Sequence, residues 1–220
     1  MNEGKHRGFW NVIAPVYELI IRKDGAAYKR MYRLIEKRIV NADVLELACG
    51  TGLISRNVAN VAKSYTATDF AADMIEQAKK RQHPPKICFE MQNAEALTYK
   101  DAAFDVILIS NALHIMPHPQ QVLSEISRVL KDNGILIAPT FSHLDSGRIG
   151  KMRSLLMQAF GLPVYHSWTV TQFKKFLESS GFTIAEFQAL HASFEIAYAV
   201  CQKKDVLKDI PKNCSMGERL

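Results

Sequence analysis

No apolar run in the chain is long or clean enough to suggest a membrane span. The longest near the start, FWNVIAPVYELII, is interrupted by Asn11, Pro15 and Glu18 and falls short of the roughly 20 apolar residues a bilayer requires. No small-residue cleavage site follows it, so a secretory leader is not expected. Cysteine is scarce. Cys49, Cys88, Cys201 and Cys214 form neither a C-x-x-C pair nor a metal-like spacing, which argues against a disulfide framework or zinc module and favours free thiols in a reducing cytoplasm. Repeats and low-complexity tracts are lacking too. What is present has the length and ordinary apolar content of one α/β domain.

Positive charge is not lacking, but it is confined. The chain carries a net +6. Residues 1–40 hold nine Lys/Arg against four Asp/Glu, and residues 203–220 hold five against three. The two ends thus carry +5 and +2, which leaves the body near −1 by subtraction. A nucleic-acid binder more typically spreads positive charge over its working face, so no nucleic-acid partner is expected. The basic segment IRKDGAAYKRMYRLIEKRI reads either as a solvated helix face or as a strip facing an anionic membrane surface or acidic substrate.

From residue 42 strand-like runs alternate with helical patterns. Strands are expected at 43–47, 64–69, 86–91, 104–110 and 135–141, with helices at 52–62, 71–82 and 119–130. LKDNGILI reads as a helix end, a turn with Gly134 and the next strand. This order implies a doubly wound parallel sheet. A helix at 169–180, capped by Thr169 or Thr171, then leads into strands at 182–189 and 194–201. With only a short turn between them, those two should pair antiparallel.

The stretch VLELACGTGLIS at 44–55 hands a strand to a helix through Gly50 and Gly52. Glycine there permits unusual backbone angles and close approach of a ligand. A dinucleotide fingerprint needs a third small residue in register, and counting from Gly50 or from Ala48 gives Ser55 or Leu53 there. A phosphate loop needs Gly-Lys-Ser/Thr, and no lysine stands there. What remains is an acid, a small residue and two glycines: Glu46-Leu47-Ala48-Cys49-Gly50-Thr51-Gly52.

At this point the chain resembles the class I S-adenosylmethionine-dependent methyltransferases, most of all the group of ubiquinone/menaquinone-pathway and small-molecule methyltransferases. Ala48 stands where that family usually has glycine. S-adenosylmethionine carries no phosphate, so the loop need only curl beneath its methionyl part. Further features arrive in the family's order. Asp69 follows the second strand, where a carboxylate can accept from both ribose hydroxyls. The resemblance implies that Phe70 and Met74 border the adenine. Asn93-Ala94-Glu95 follows the third strand, with Asn93 replacing the family's aspartate, its amide oxygen still able to accept from the adenine amino group. Ser110-Asn111 follows the fourth strand, where the family binds the methionyl end. The resemblance covers roughly residues 9–202. It implies an α/β, Rossmann-like seven-stranded sheet, mostly parallel with the last strand antiparallel and helices on both faces.

On this reading residues 1–202 form a single domain, with a helical lead-in segment at 1–41, a lid-like insertion at 142–168 and a polar tail at 203–220. Phe9 to Glu18 is similar to the family's "F-D-x-x-A-x-x-Y-D" start, which implies that Tyr17 reaches cofactor or substrate. The insertion carries an apolar stripe of Ile149, Met152, Leu156 and Phe160 at helical spacing.

Methyl transfer from a sulfonium is an in-line displacement, and a base is needed only where the acceptor must lose a proton. His114, just beyond the fourth strand, is the candidate base, since an unperturbed imidazole titrates near pH 6.5. His143, Tyr165 and His166 are further candidates at the acceptor pocket. No metal is expected. The tetrad Asn111-Ala112-Leu113-His114 is unlike the Asn/Asp-Pro-Pro-Tyr/Phe of base-amino methylases, and no Pro-Cys pair offers the thiolate of cytosine-C5 chemistry. The expected function is therefore methyl transfer from S-adenosylmethionine, leaving S-adenosylhomocysteine, to a small-molecule or lipid-like acceptor in the cytoplasm. A non-catalytic protein that binds the same cofactor and an NAD-dependent reductase on a similar sheet are the alternatives.

Overall fold

The computed structural model describes residues 25–141, 165–191 and 195–204. Helix α1 (Gly25–Ile39) leads into β1 (Asp43–Leu47). Then come α2 (Leu53–Val58) with a 3₁₀ turn at Ala59–Val61, β2 (Ser64–Asp69), α3 (Ala72–Lys80) and β3 (Ile87–Met91). β4 (Phe104–Ile109), α4 (Pro119–Val129), β5 (Leu130–Ile137) and β6 (Thr140–Phe141) follow. The described chain closes with α5 (Val170–Ser179), β7 (Phe182–Leu190) and β8 (Ile196–Lys203). The strands form one sheet in the order β3-β2-β1-β4-β5-β8, with β6 and β7 also paired to β8. Strands β1 to β5 are parallel, and β8 runs antiparallel to β5, β6 and β7. The order reverses at β1 and β4, and that reversal opens a crevice at the C-terminal ends of those strands, where open α/β sheets take ligands.

Each face of the sheet buries its own core. Val44, Tyr65, Ala67, Val106, Leu108, Tyr198 and Val200 pack under α1, α2 and α3. Leu45, Leu47, Ile107, Ile109, Leu136, Ala199 and Cys201 pack under α4 and α5. The alternation follows from successive side chains on a strand pointing to opposite faces. Covering both faces suits the nearly continuous apolar runs of β4 and β8.

The expected architecture holds, with two local corrections. The strand expected at 135–141 is divided, which makes eight strands among the described residues rather than seven. Ala138 still donates to the Ala199 carbonyl at 2.9 Å, but Pro139 has no N–H to continue the ladder, and pairing resumes at Thr140↔Ala197. The turn expected at Lys131–Gly134 is a bulge inside a strand. Leu130 already pairs with Phe104, and the register resumes at Val106↔Ile135. Glycine is required in that bulge, because a Cβ at Gly134 would lie 2.6 Å from Leu130 Cδ1 and 2.9 Å from the Asp105 carbonyl. Of the two proposed caps for α5, Thr169 is the one used. Its hydroxyl accepts from the Gln172 N–H while Gln172 Oε1 accepts from the Thr169 N–H, a reciprocal capping box. The lead-in residues before 25, most of the 142–168 insertion and nearly all of the tail lie outside the described residues.

Candidate functional site

The bend between β1 and α2 is built from left-handed residues. Ala48, Gly50 and Gly52 have φ of 53°, 55° and 72°. Cys49 donates to the Thr68 carbonyl at 2.8 Å, which extends the β1–β2 ladder by one residue before the chain turns. Gly52 then donates to Cys49, and its own carbonyl accepts from Arg56 to start the helix. The two glycines serve different ends. A Cβ at Gly52 would sit 3.0 Å from the Phe89 ring and 3.3 Å from Ala78, so the bend packs tightly there. A Cβ at Gly50 would meet nothing within 4 Å among the described residues. The main chain at Gly50 therefore borders open space that a side chain would fill.

Ala48 has the same left-handed geometry without glycine's freedom. That conformation costs an L-residue roughly 1–2 kcal/mol. Ala48→Gly is expected to raise stability by up to about 1 kcal/mol, measured as a higher urea midpoint with an unchanged slope.

Asp69 ends β2 beside this bend. Its Oδ2 accepts from the Gly50 N–H at 2.8 Å and its Oδ1 from the Ala71 N–H at 2.9 Å. One carboxylate thus ties the glycine bend to the start of α3, and each oxygen keeps a lone pair for a ligand hydroxyl. Burial pushes this carboxyl up, against the pull of the N–H bonds from Ala71, Gly50 and Phe70. Phe70 is 66% exposed at the strand end, whereas Met74 is buried one turn into α3.

Glu46 lies elsewhere than the opening of the bend. It is 2% exposed, on the face beneath α2, and its Oε2 accepts from Ser55 Oγ and, at 2.9 Å, from the Tyr65 hydroxyl. Burial pushes its carboxyl up to about 7 in spite of those two bonds, with Asp69 adding repulsion. Its geometry makes it a buried strut that fixes α2 against β2. Cys49 and Thr51 are buried in the bend as well, and burial pushes the Cys49 thiol up, with the Glu46 and Asp69 carboxylates adding to it.

On the β3 side, Asn93 Oδ1 accepts from the Glu95 N–H at 2.9 Å and the Asn93 carbonyl from Ala96. That local turn holds Asn93 outward and exposed. Ala94 packs on the core, and the Glu95 carbonyl accepts from Gln121 of α4. On the β4 side, Asn111 is left-handed (φ 51°) and donates its N–H to the Pro139 carbonyl. Ser110 Oγ is buried with no hydrogen-bond partner among the described residues.

His114 follows on a short 3₁₀ turn, 5% exposed. Its Nδ1 lies 3.4 Å from the Thr140 hydroxyl, and its ring meets Phe141 edge-on. The His114 carbonyl accepts from both Tyr165 and His166 N–H groups. The structure thus brings His114, Tyr165 and His166 together through the backbone, with the Tyr165 side chain half exposed and the His166 ring stacked on Trp168. Tyr17 and His143 lie outside the described residues. Thr140 and Trp168 were not anticipated. Thr140 ends an apolar strand run, and its contact with His114 crosses 26 residues, which no local pattern signals.

A family described as a methyltransferase domain matches residues 45–138, from β1 through β5. A demethylmenaquinone methyltransferase of Renibacterium salmoninarum is 33% identical over 135 residues, 60% of this chain and 56% of that protein. A malonyl-[acyl-carrier protein] O-methyltransferase of Bacillus cereus is 35% identical over 102 residues, 46% of this chain and 38% of that protein. The chain therefore spans about half the length, or less, of these curated relatives. Among solved structures, a SAM-dependent methyltransferase from Thermotoga maritima has the same fold, with a TM-score of 0.70 at 17% identity over 90% of this chain and 99% of that one.

Proposed function

We propose that this chain, which is similar to S-adenosylmethionine-dependent methyltransferases, is a class I enzyme of that kind and transfers a methyl group from S-adenosylmethionine to a small-molecule or lipid-like acceptor in the cytoplasm. The observation that carries this reading is the open space at Gly50, bordered by backbone and closed on one side by Asp69. A sulfonium donor with no phosphate needs such a bend and no lysine. When bound, the donor supplies the activated methyl group.

The residues of the chain would then hold and orient it. Asp69 accepts from the ribose hydroxyls with the lone pairs its backbone partners leave, and Phe70 covers the adenine with its exposed ring. Asn93 offers its second lone pair to the adenine amino group. Ser110 and Asn111 meet the methionyl end, where the orphaned Ser110 hydroxyl gains a partner. Ala48, Cys49, Thr51 and Gly52 shape the bend, while Glu46, Met74, Ala94 and Glu95 support it. His114, next to Thr140, is the candidate base toward the acceptor, with Tyr17, His143 and Tyr165 as its companions in that pocket. Holding the acceptor in line behind the methyl group is the protein's main contribution to rate.

A quinone-type acceptor is what the demethylmenaquinone methyltransferase supports, whereas the other relative is named for an O-methylation. The partners are then the donor and a small acceptor. The experiment is transfer of labelled methyl from S-adenosylmethionine to a panel of naphthoquinols, phenols and amines. Labelled product from any one supports the enzyme. Tight donor binding with no product across the panel and a cell extract supports a non-catalytic binder. Asp69→Ala is expected to weaken donor binding by about 1–3 kcal/mol. Unchanged affinity in a calorimetric titration would move the ribose site elsewhere.

A further inference from the structure

α1 carries five cations, and the fold treats them unequally. Arg38 is ion-paired with Glu186 and Arg30 donates to Gln188 Oε1, both on β7. Lys29, Arg33 and Lys37 repeat at every fourth residue, are exposed, and make no ion pair among the described residues. At 3.6 residues per turn Arg33 lies nearly opposite the centre of the buried face made by Ala27, Tyr28, Met31, Ile35 and Ile39. The stripe thus runs along the outermost line of the helix for about 12 Å. Glu36 is the single carboxylate on α1. Past the end of the helix, Val40 is 63% exposed and Val61 37%, and the Asn41 N–H donates to the Val61 carbonyl, which joins the two sites. Two more lysines border them: Lys63, paired with Asp43, and Lys86, which donates to the Asn60 and Ala62 carbonyls.

We infer that this face of α1 is a docking surface for an anionic lipid bilayer. The charge complements the negative surface of such a membrane, where each nearby Lys or Arg strengthens binding by a factor of about five. The apolar side of α1 is already committed to the core, so the helix lies on the headgroups and does not insert. Val40 and Val61 are the apolar groups available to touch the interface. A nucleic acid fits less well. Tyr28 is buried and Tyr32 half-buried with their rings packed on each other, and no aromatic ring stands out on α1 for a base to stack on. This inference is independent of the methyl-transfer reading.

The test is sedimentation of the full chain with phosphatidylcholine vesicles, either pure or carrying roughly a third phosphatidylglycerol. Binding is expected only to the anionic vesicles and should be released by about 1 M salt, where charges are screened within about 3 Å. Combining Lys29→Gln, Arg33→Gln and Lys37→Gln should lower partitioning by about a hundredfold while leaving the affinity for S-adenosylmethionine unchanged. Combining Lys79→Gln, Lys80→Gln and Lys100→Gln, which removes equal charge from other exposed sites, should leave most of it. Absence of binding to anionic vesicles overturns the proposal, as does an equal loss in both triple variants. Retention on immobilised duplex DNA that the first set abolishes, with no vesicle binding, reassigns the face to nucleic acid.

Discussion

Gly50→Val is expected to remove measurable S-adenosylmethionine binding while leaving a folded protein. Two effects act in the same direction. The backbone at position 50 is left-handed, a conformation that strains an L-residue by roughly 1–2 kcal/mol and a β-branched one most of all. The new side chain would also project into the open space beside the bend, where the methionyl part of the donor is proposed to lie. Because no described residue beyond its chain neighbours stands within 4 Å of that Cβ, the core loses no packing and the thermal transition should fall only by the strain. A loss of at least a hundredfold in affinity, or about 2.7 kcal/mol, with near-native circular dichroism is the expected result. Gly52→Val should behave differently, since its Cβ runs into Phe89 and Ala78 and the damage there falls first on stability.

The second large effect is on stability against pH. Glu46 has its carboxyl raised from an ordinary value of 4.5 to about 7, chiefly by burial. The folded state therefore holds a proton that the unfolded chain releases between those values. The stability linked to that proton is fully present below pH 4.5 and is lost as pH rises through 7. At about 1.4 kcal/mol per unit, the 2.5-unit difference amounts to roughly 3 kcal/mol. Asp69, raised in the same direction, adds to this slope. Asp43 and Glu125 oppose it: the Ser64 hydroxyl and the Arg128 guanidinium respectively hold their carboxyls low. Their contribution is present above their ordinary values and is lost as pH falls through the lowered ones. Denaturant midpoints should thus decline from about pH 5 to 7 in the parent and decline clearly less in Glu46→Gln, which keeps only the Asp69 part of the slope and whose amide oxygen still accepts from Ser55 and Tyr65. A parent profile flat over that range would contradict the buried strut.

Much of this fold was legible because its signals are local. The runs DVLEL and SYTATD are strands with the expected boundaries, and α4 ends at Val129, one residue short of expectation. Thr169 with Gln172 is a capping box that can be read from spacing alone. Other features depend on distant partners. The split after Ile137 follows from Pro139 meeting a ladder to β8, some 60 residues later. The left-handed angle at Ala48 reflects the demands of the bend on a residue that does not prefer it. The inward turn of Glu46 had a signal that could have been used, since it shares alternation with Val44, which is core on the α2 side. The tie between Asp69 and the Gly50 N–H joins two recognisable motifs through a contact that neither motif states. For His114, the residue type was legible, but its burial against Thr140 and Phe141 was not.

The central claim is that the left-handed bend at Ala48–Gly52 and the carboxylate of Asp69 together seat S-adenosylmethionine. Calorimetric titration of the full chain with S-adenosylmethionine, S-adenosylhomocysteine and NAD, in the parent and in Gly50→Val, tests it most directly. The account predicts saturable binding of the first two ligands, none of NAD, and loss of both signals in the variant. Binding of NAD with no heat from either adenosyl ligand would contradict it.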